Sequence, residues 1–340
     1  ISLKSLRTGN KWEEISKINP LYVLYMYGFW NSESGDSDGD GYSNKLFDNK
    51  PLLPFGDTIV TDEIEKESGF DAKLTAETIS LVNVWMAITS ELYKAVTFCR
   101  DGTTSNDRNP IDDAAAFWFG SHTDPDVTTG SSLFAWANRA QSEFTGFDSG
   151  VNDEMIARLS SLQDTYASCE FTTGDERKDR ALGMKTDVEE TIKIMTVPLV
   201  QNFIRSLASM SGMTTQALND RDNYLVLYSL MVLPLISICD EITFDDIWEQ
   251  VFSERQGFTA ATFSELLKMV QDRLECLGIT CSMVGRSLEQ DDTWPECVDN
   301  APSNRLELAG YIPATDDSLG WSKIDLDIST ILSFIVMEAT

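Results

Sequence analysis

Histidine is almost missing from this chain: His122 is the only one among 340 residues. That excludes metal sites built on two histidines of one chain, and it leaves a Ser-His-Asp triad with a single candidate base and no credible nucleophile. Positive charge is also scarce. Lys and Arg total 26 against 55 Asp and Glu, a formal net charge of −29. Nucleic acid, whose phosphates call for Lys and Arg, is therefore not an expected partner, and neither is an anionic lipid surface. Cations, salty surroundings or a basic partner suit the balance better.

Other signatures are absent too. There is no Walker A loop and no Gly-x-Gly-x-x-Gly fingerprint. The one Gly-x-Ser-x-Gly match, Gly35–Gly39, lies inside an acidic loop rather than between a strand and a helix, so it reads as accidental. No Asn-x-Ser/Thr sequon occurs. The longest apolar run, Tyr224–Cys239, is shorter than the ~20 residues of a membrane span and contains Pro234. It reads as a buried helix, and no transmembrane segment is expected. The opening ISLKSLRTGN lacks the apolar core of a signal peptide. If the protein is secreted, this is a processed or truncated form.

What is present is a globular balance, with 42% apolar and 24% charged residues. Six cysteines stand at Cys99, Cys169, Cys239, Cys276, Cys281 and Cys297, with no Cys-x-x-Cys pair that zinc would want. The even number points to three disulfides and an oxidising compartment; six buried thiols are the competing reading. Fifteen connectivities are open. Proximity favours pairing within the 239–297 cluster, with Cys99 joined to Cys169.

Helical patterning dominates from about Ala72. Ile79, Val82, Met86, Tyr93 and Val96 recur at helical spacing up to Cys99. Further helices are expected over Ile111–Phe119, Ser132–Phe144 and the stripe Met155, Ile156, Leu159, Leu162, Tyr166, Cys169, with Asn152 as its cap. Glu170–Arg180 reads as a solvated loop, followed by a capping box at Thr186 and Glu189. Pro198 and Pro234 fall inside two apolar helices and should kink each. The two helices are expected to pack together as the centre of the domain. Thr243 and Thr262 mark further helix starts, Phe263 to Leu277 line one face up to Gly278, and the tail from Trp321 reads as a packing helix. Before all this, Asn19-Pro20 opens an aromatic element, LYVLYMYGFW, for which helix and strand both remain open.

The stretch with the most definite chemistry is Asp36–Asp48, DSDGDGYSNKLFD. Calcium takes six to eight oxygens, and alternate carboxylates followed by a glycine turn supply them compactly. Asp36, Asp38 and Asp40 occupy positions 1, 3 and 5 of such a loop. Gly41 makes the turn, Tyr42 offers its carbonyl and Asn44 acts at position 9. Phe47 stands where a bidentate Glu should be, and Asp48 follows one residue late. The loop resembles those of dockerin-type and thrombospondin type 3 modules, which implies structural rather than signalling calcium. A solvated acidic turn is the alternative. A second constellation, Asp112, Asp113, His122, Asp124 and Asp126, could hold ferric iron or another hard cation, against the alternative of capping and solvated acids.

Five stretches, ELYKAVTFCRDG (91–102), DDAAAFWFGS (112–121), IKIMTVPLVQNFIRS (192–206), VLPLISICD (232–240) and LLKMVQDRLECLGITCSMVG (266–285), also resemble a family in both wording and order. They are similar to the iron-assimilating, high-CO2-response periplasmic proteins of green algae and their diatom and oomycete relatives. The resemblance covers about 75–285. It implies a secreted helical domain with disulfides and a role in iron capture. NRAQSEFTGF (138–147) lacks the cysteines of that family, and His122-Thr123-Asp124 replaces its acidic or glycine-rich continuation. No ligand is transferred.

The sequence thus predicts an all-α extracellular protein. It comprises an irregular N-terminal segment with the calcium loop (1–71) and a multi-helix domain (72–340). Its expected activity is non-catalytic, with calcium bound and iron as a further cation; a structural subunit of an extracellular filament or cell-surface assembly is the alternative. Expected partners are metal cations and copies of itself or other extracellular proteins. The expected location is extracellular, periplasmic or cell-surface.

Overall fold

The computed structural model describes residues 64–65, 71–102, 109–121, 124–147, 150–210, 215–253, 259–288 and 294–298. The aromatic element, the acidic loop Asp36–Asp48, His122 and the tail from Trp321 lie outside these residues.

The fold is all-α. In chain order it comprises α1 (Ala72–Thr78), a π-helical turn (Ile79–Val84), α2 (Trp85–Asp101), α3 (Pro110–Phe119), α4 (Leu133–Ser142) and β1 (Phe144–Thr145). Then come α5 (Val151–Cys169), α6 (Gly174–Met210), α7 (Thr215–Cys239), α8 (Glu241–Trp248) and a second π turn (Glu249–Ser253). The last described elements are α9 (Ala260–Gln271), α10 (Cys281–Val284) and β2 (Arg286–Ser287). The two short strands pair antiparallel, Phe144 opposite Ser287.

Local chemistry places the ends of these helices. Asp71 caps α1 by accepting from the Leu74 N–H at 2.9 Å, Asn109 caps α3 ahead of Pro110, and Ser132 caps α4. Gly102 terminates α2 in the left-handed region at φ 69°. Beyond its φ, Gly102 also lies under the Arg177 guanidinium, which a Cβ there would meet.

Helix α6 organises the body. It packs against α2, α4, α5, α7, α9 and α10. Its second half is buried nearly without interruption from Thr191 to Ile204. A helix apolar on all sides can only be a central one. The two proline-bearing helices do pack together, and each runs on through its proline. Asn202 Nδ2 donates to the Pro198 carbonyl at 2.9 Å, and Trp85 Nε1 to the Met195 carbonyl at 3.4 Å, so side chains join the backbone around Pro198.

Some expected boundaries shift. The stretch expected as a loop, 170–180, is mostly helix: α6 begins at Gly174 and is 37 residues long. The charged residues there form i,i+3 and i,i+4 pairs, Lys178 with Asp175 and Arg180 with Glu176. Thr186 is mid-helix, its hydroxyl bonded back to the Leu182 carbonyl. Asp240, not Thr243, caps α8, and Thr259, not Thr262, caps α9. In each case a competent cap stands three residues earlier.

All six cysteines pair. Cys99–Cys169 ties the ends of α2 and α5, Cys239–Cys276 ties the end of α7 to the turn after α9, and Cys281–Cys297 ties α10 to the last described segment. Cys99–Cys169 and the confinement of the other two bridges to the 239–297 cluster are as sequence proximity favours; the partners within that cluster are a finding of the structure. No described helix is long and apolar enough to cross a membrane.

Candidate functional site

The calcium ligands expected from sequence, Asp36, Asp38, Asp40, Tyr42, Asn44 and Asp48, lie outside the described residues. The second constellation is partly described. Asp112 and Asp113 sit in the first turn of α3, where the helix dipole favours anions. Asp112 Oδ1 accepts from Gln163 Nε2 at 2.9 Å, which docks α3 on α5. Asp124 Oδ1 accepts from the Asp126 N–H at 3.0 Å, closing an Asx turn at the start of an exposed loop. Among the described residues no three His, Cys, Asp or Glu side chains gather as a metal-binding group.

The loop itself, 124–131, is held by α4. Asn138 Nδ2 donates to the carbonyls of Pro125 and Val127, both at 2.9 Å. Arg139 Nη1 donates to those of Thr128 and Gly130 at 2.9 and 2.8 Å. Ser80 Oγ reaches the Ser131 carbonyl at 2.6 Å. Five carbonyls are thus engaged by protein donors. A cation at this loop would be met mainly by the exposed carboxylates of Asp124 and Asp126.

Behind the loop lies a polar network that sequence reasoning missed. Asn152, expected as a helix cap, is instead buried between helices; Gly150 takes the cap position of α5. The Asn152 amide donates to Asn138 Oδ1 at 2.6 Å and to the Phe134 carbonyl at 2.9 Å, while its Oδ1 accepts from Trp118 Nε1 at 2.9 Å. On the other side Arg139 Nη2 reaches Glu77 Oε1 at 3.4 Å. Glu77 is only 5% exposed.

Its other oxygen, Oε2, accepts from the Tyr228 hydroxyl at 2.8 Å, while Lys73 Nζ approaches Oε1 at 3.8 Å. Trp136 stacks on Tyr228, ring centroids 6.5 Å apart, and donates to its hydroxyl at 3.4 Å. Burial first, then the Glu77 charge, push the Tyr228 phenol well above its ordinary pKa. Tyr224 donates to Asp71 at 3.3 Å, with Lys73 over its ring. Nearby, Arg205 on α6 pairs with Glu143 at the end of α4.

The signal for Glu77 was available in the sequence. It falls between Leu74, Thr78 and Leu81 on an apolar stripe, where an unpartnered carboxylate would be costly. Its partner Tyr228 is 151 residues away, a pairing that no local pattern encodes.

These groups are saturated by one another and bear the marks of a structural node: a buried carboxylate with its donors, tying α1, α4 and α7 together. No family model, no curated protein and no solved structure matches this chain.

Proposed function

We propose that this chain is a non-catalytic, extracellular or cell-surface cation-binding protein, with a calcium loop at Asp36–Asp48 and a disulfide-stapled helical body that captures a hard cation, iron being the case the family resemblance implies. The observation that carries the reading is the complete pairing of six cysteines in three disulfides on a chain of net charge −29. Disulfides of this kind persist where the surroundings are oxidising, and the charge suits cations. The Asp-x-Asp-x-Asp-Gly spacing supports calcium at the N-terminal segment. Asp124 and Asp126, on a loop fixed from behind by Asn138 and Arg139, support a second cation near His122.

Metal analysis after dialysis tests the calcium part. About one calcium per chain is expected from a single loop, lost in a D38A/D40A variant. A calcium-free wild-type protein refutes the loop. Ferric loading followed by the same analysis tests the capture part: iron retained by the wild type and lost in H122A/D124N supports it, and no retained iron refutes it.

The second reading, a structural subunit of an extracellular assembly, is favoured by exposed apolar residues on the α5–α6 hairpin. Phe171 is 83% and Leu182 65% exposed, and such residues in the open suit a contact with a neighbour. Sedimentation at rising concentration, with and without chelator, decides it. A monomer under both conditions removes the assembly.

A further inference from the structure

The three disulfides do not hold the same kind of structure. Cys99 and Cys169 are fully buried and join the ends of two long helices. Cys239 and Cys276 join helix ends that are also bridged by Arg273, which donates to Asp240 and Thr243. Cys281–Cys297 is half-exposed at each end, as Cys239–Cys276 is, but it differs from both in what it holds: a non-helical segment, 294–298, against α9 and α10.

Among the described residues the noncovalent hold on that segment is small. Trp294 packs edge-on against Phe263 with centroids 4.6 Å apart. Gln271 Nε2 reaches the Pro295 carbonyl at 3.4 Å, a long hydrogen bond. Cys297 itself rests on the core, while Glu296 and Val298 face solvent.

We propose that Cys281–Cys297 is a redox-released strap: its reduction frees residues 294–298 from α9, uncovers Phe263 and leaves the helical body folded. The step is ordinary thiol–disulfide exchange. A dithiol reductant attacks one sulfur as its thiolate, a mixed disulfide forms, and the second thiol resolves it. Cys281 and Cys297 leave as two thiols and the reductant leaves as its own disulfide, two electrons passing from reductant to protein. Access selects this bond over the buried Cys99–Cys169 pair. Local consequence follows from structure. Phe263 is 3% exposed with Trp294 against it, so removal of the strap opens an apolar face on α9.

The test uses the full chain under native conditions, titrated with a small dithiol, quenched by alkylation and mapped by mass spectrometry. Expected is label at Cys281 and Cys297 at a dithiol concentration at least tenfold below that which labels Cys99 and Cys169. Tryptophan emission should shift to the red while far-ultraviolet circular dichroism keeps its helical signal. The C281S/C297S variant, which cannot form the bond, should show the same emission without reductant. W294A, which keeps the bond, should not gain labelling at Cys99 or Cys169. Simultaneous labelling of all six cysteines, or loss of helix together with the first label, overturns the proposal. So does C281S/C297S with unchanged emission, because the strap is then held without its disulfide.

Discussion

Replacing Tyr228 by Phe removes one oxygen atom and tests the buried node directly. In the folded protein that oxygen donates to Glu77 Oε2 at 2.8 Å and accepts from Trp136 Nε1 at 3.4 Å. A hydrogen bond to a charged group contributes about 1.5–3 kcal/mol, so Y228F should lose about 2 kcal/mol at neutral pH. The alkaline range gives a second reading. Burial and the Glu77 charge raise the phenol's pKa in the folded state, whereas in the unfolded chain it is about 10. Above pH ~10 the unfolded state releases this proton and the folded state keeps it, so the unfolded state binds fewer protons and stability falls as pH rises. The slope from this one group is about 1.4 kcal/mol per pH unit. Below pH 10 the stabilisation is fully present. Phe has no proton to lose. The difference between the two proteins should therefore shrink from about 2 kcal/mol at pH 9 as the pH climbs above 10. Urea midpoints at half-unit steps, taken quickly enough to keep the disulfides intact, measure it. Parallel stability curves for wild type and Y228F would refute the assignment of Tyr228 as a buried, raised phenol against a charged Glu77.

The remaining expectations concern stability at neutral pH. Gly102→Ala places a Cβ in the left-handed region and against Arg177, so a loss of about 1–2 kcal/mol or more is expected in thermal or urea unfolding. The double variant C99S/C169S opens a loop spanning 70 residues; chain entropy sets the loss at about 4 kcal/mol, read as a lower urea midpoint under non-reducing conditions. Asn152→Ala strands the indole N–H of Trp118, itself fully buried, at a cost of about 2–3 kcal/mol. If Asn152 were merely a helix cap, replacing it by Ser would restore stability; the structure expects that it does not.

The helical class, the pairing of the proline-bearing helices and the Cys99–Cys169 bridge could be read from the chain, whereas the partners among the four cysteines of the 239–297 cluster could not. Apolar spacing marks Leu159, Leu162 and Tyr166; the unbroken apolar run around Pro198 marks a helix buried on every side. What could not be read depends on tertiary company. The charged stretch Asp175–Arg180 looks solvated in either state, and only the i,i+4 register of its ions favours helix. Asn152 has the residue type of a cap and the surroundings of a core amide, and the difference is made by Trp118 on another helix. Glu77 is marked as unusual by its apolar neighbours, yet the phenol that accepts its burial comes from α7.

The π-helical turn Ile79–Val84 has a geometric consequence. It inserts one extra residue between α1 and α2 without interrupting the rod, and so it sets the angular phase between them. Each residue of an ordinary helix advances about 100°. Deleting one residue from Ile79–Val84 would restore a regular helix, with better hydrogen bonds in isolation. It would also swing Glu77 by about 100° relative to Trp85, away from Tyr228 and Arg139, and carry Asp71 away from Tyr224. The irregular turn thus acts as an indexing device: it is the offset that lets one continuous stretch of chain face the core with Trp85 and the polar node with Glu77.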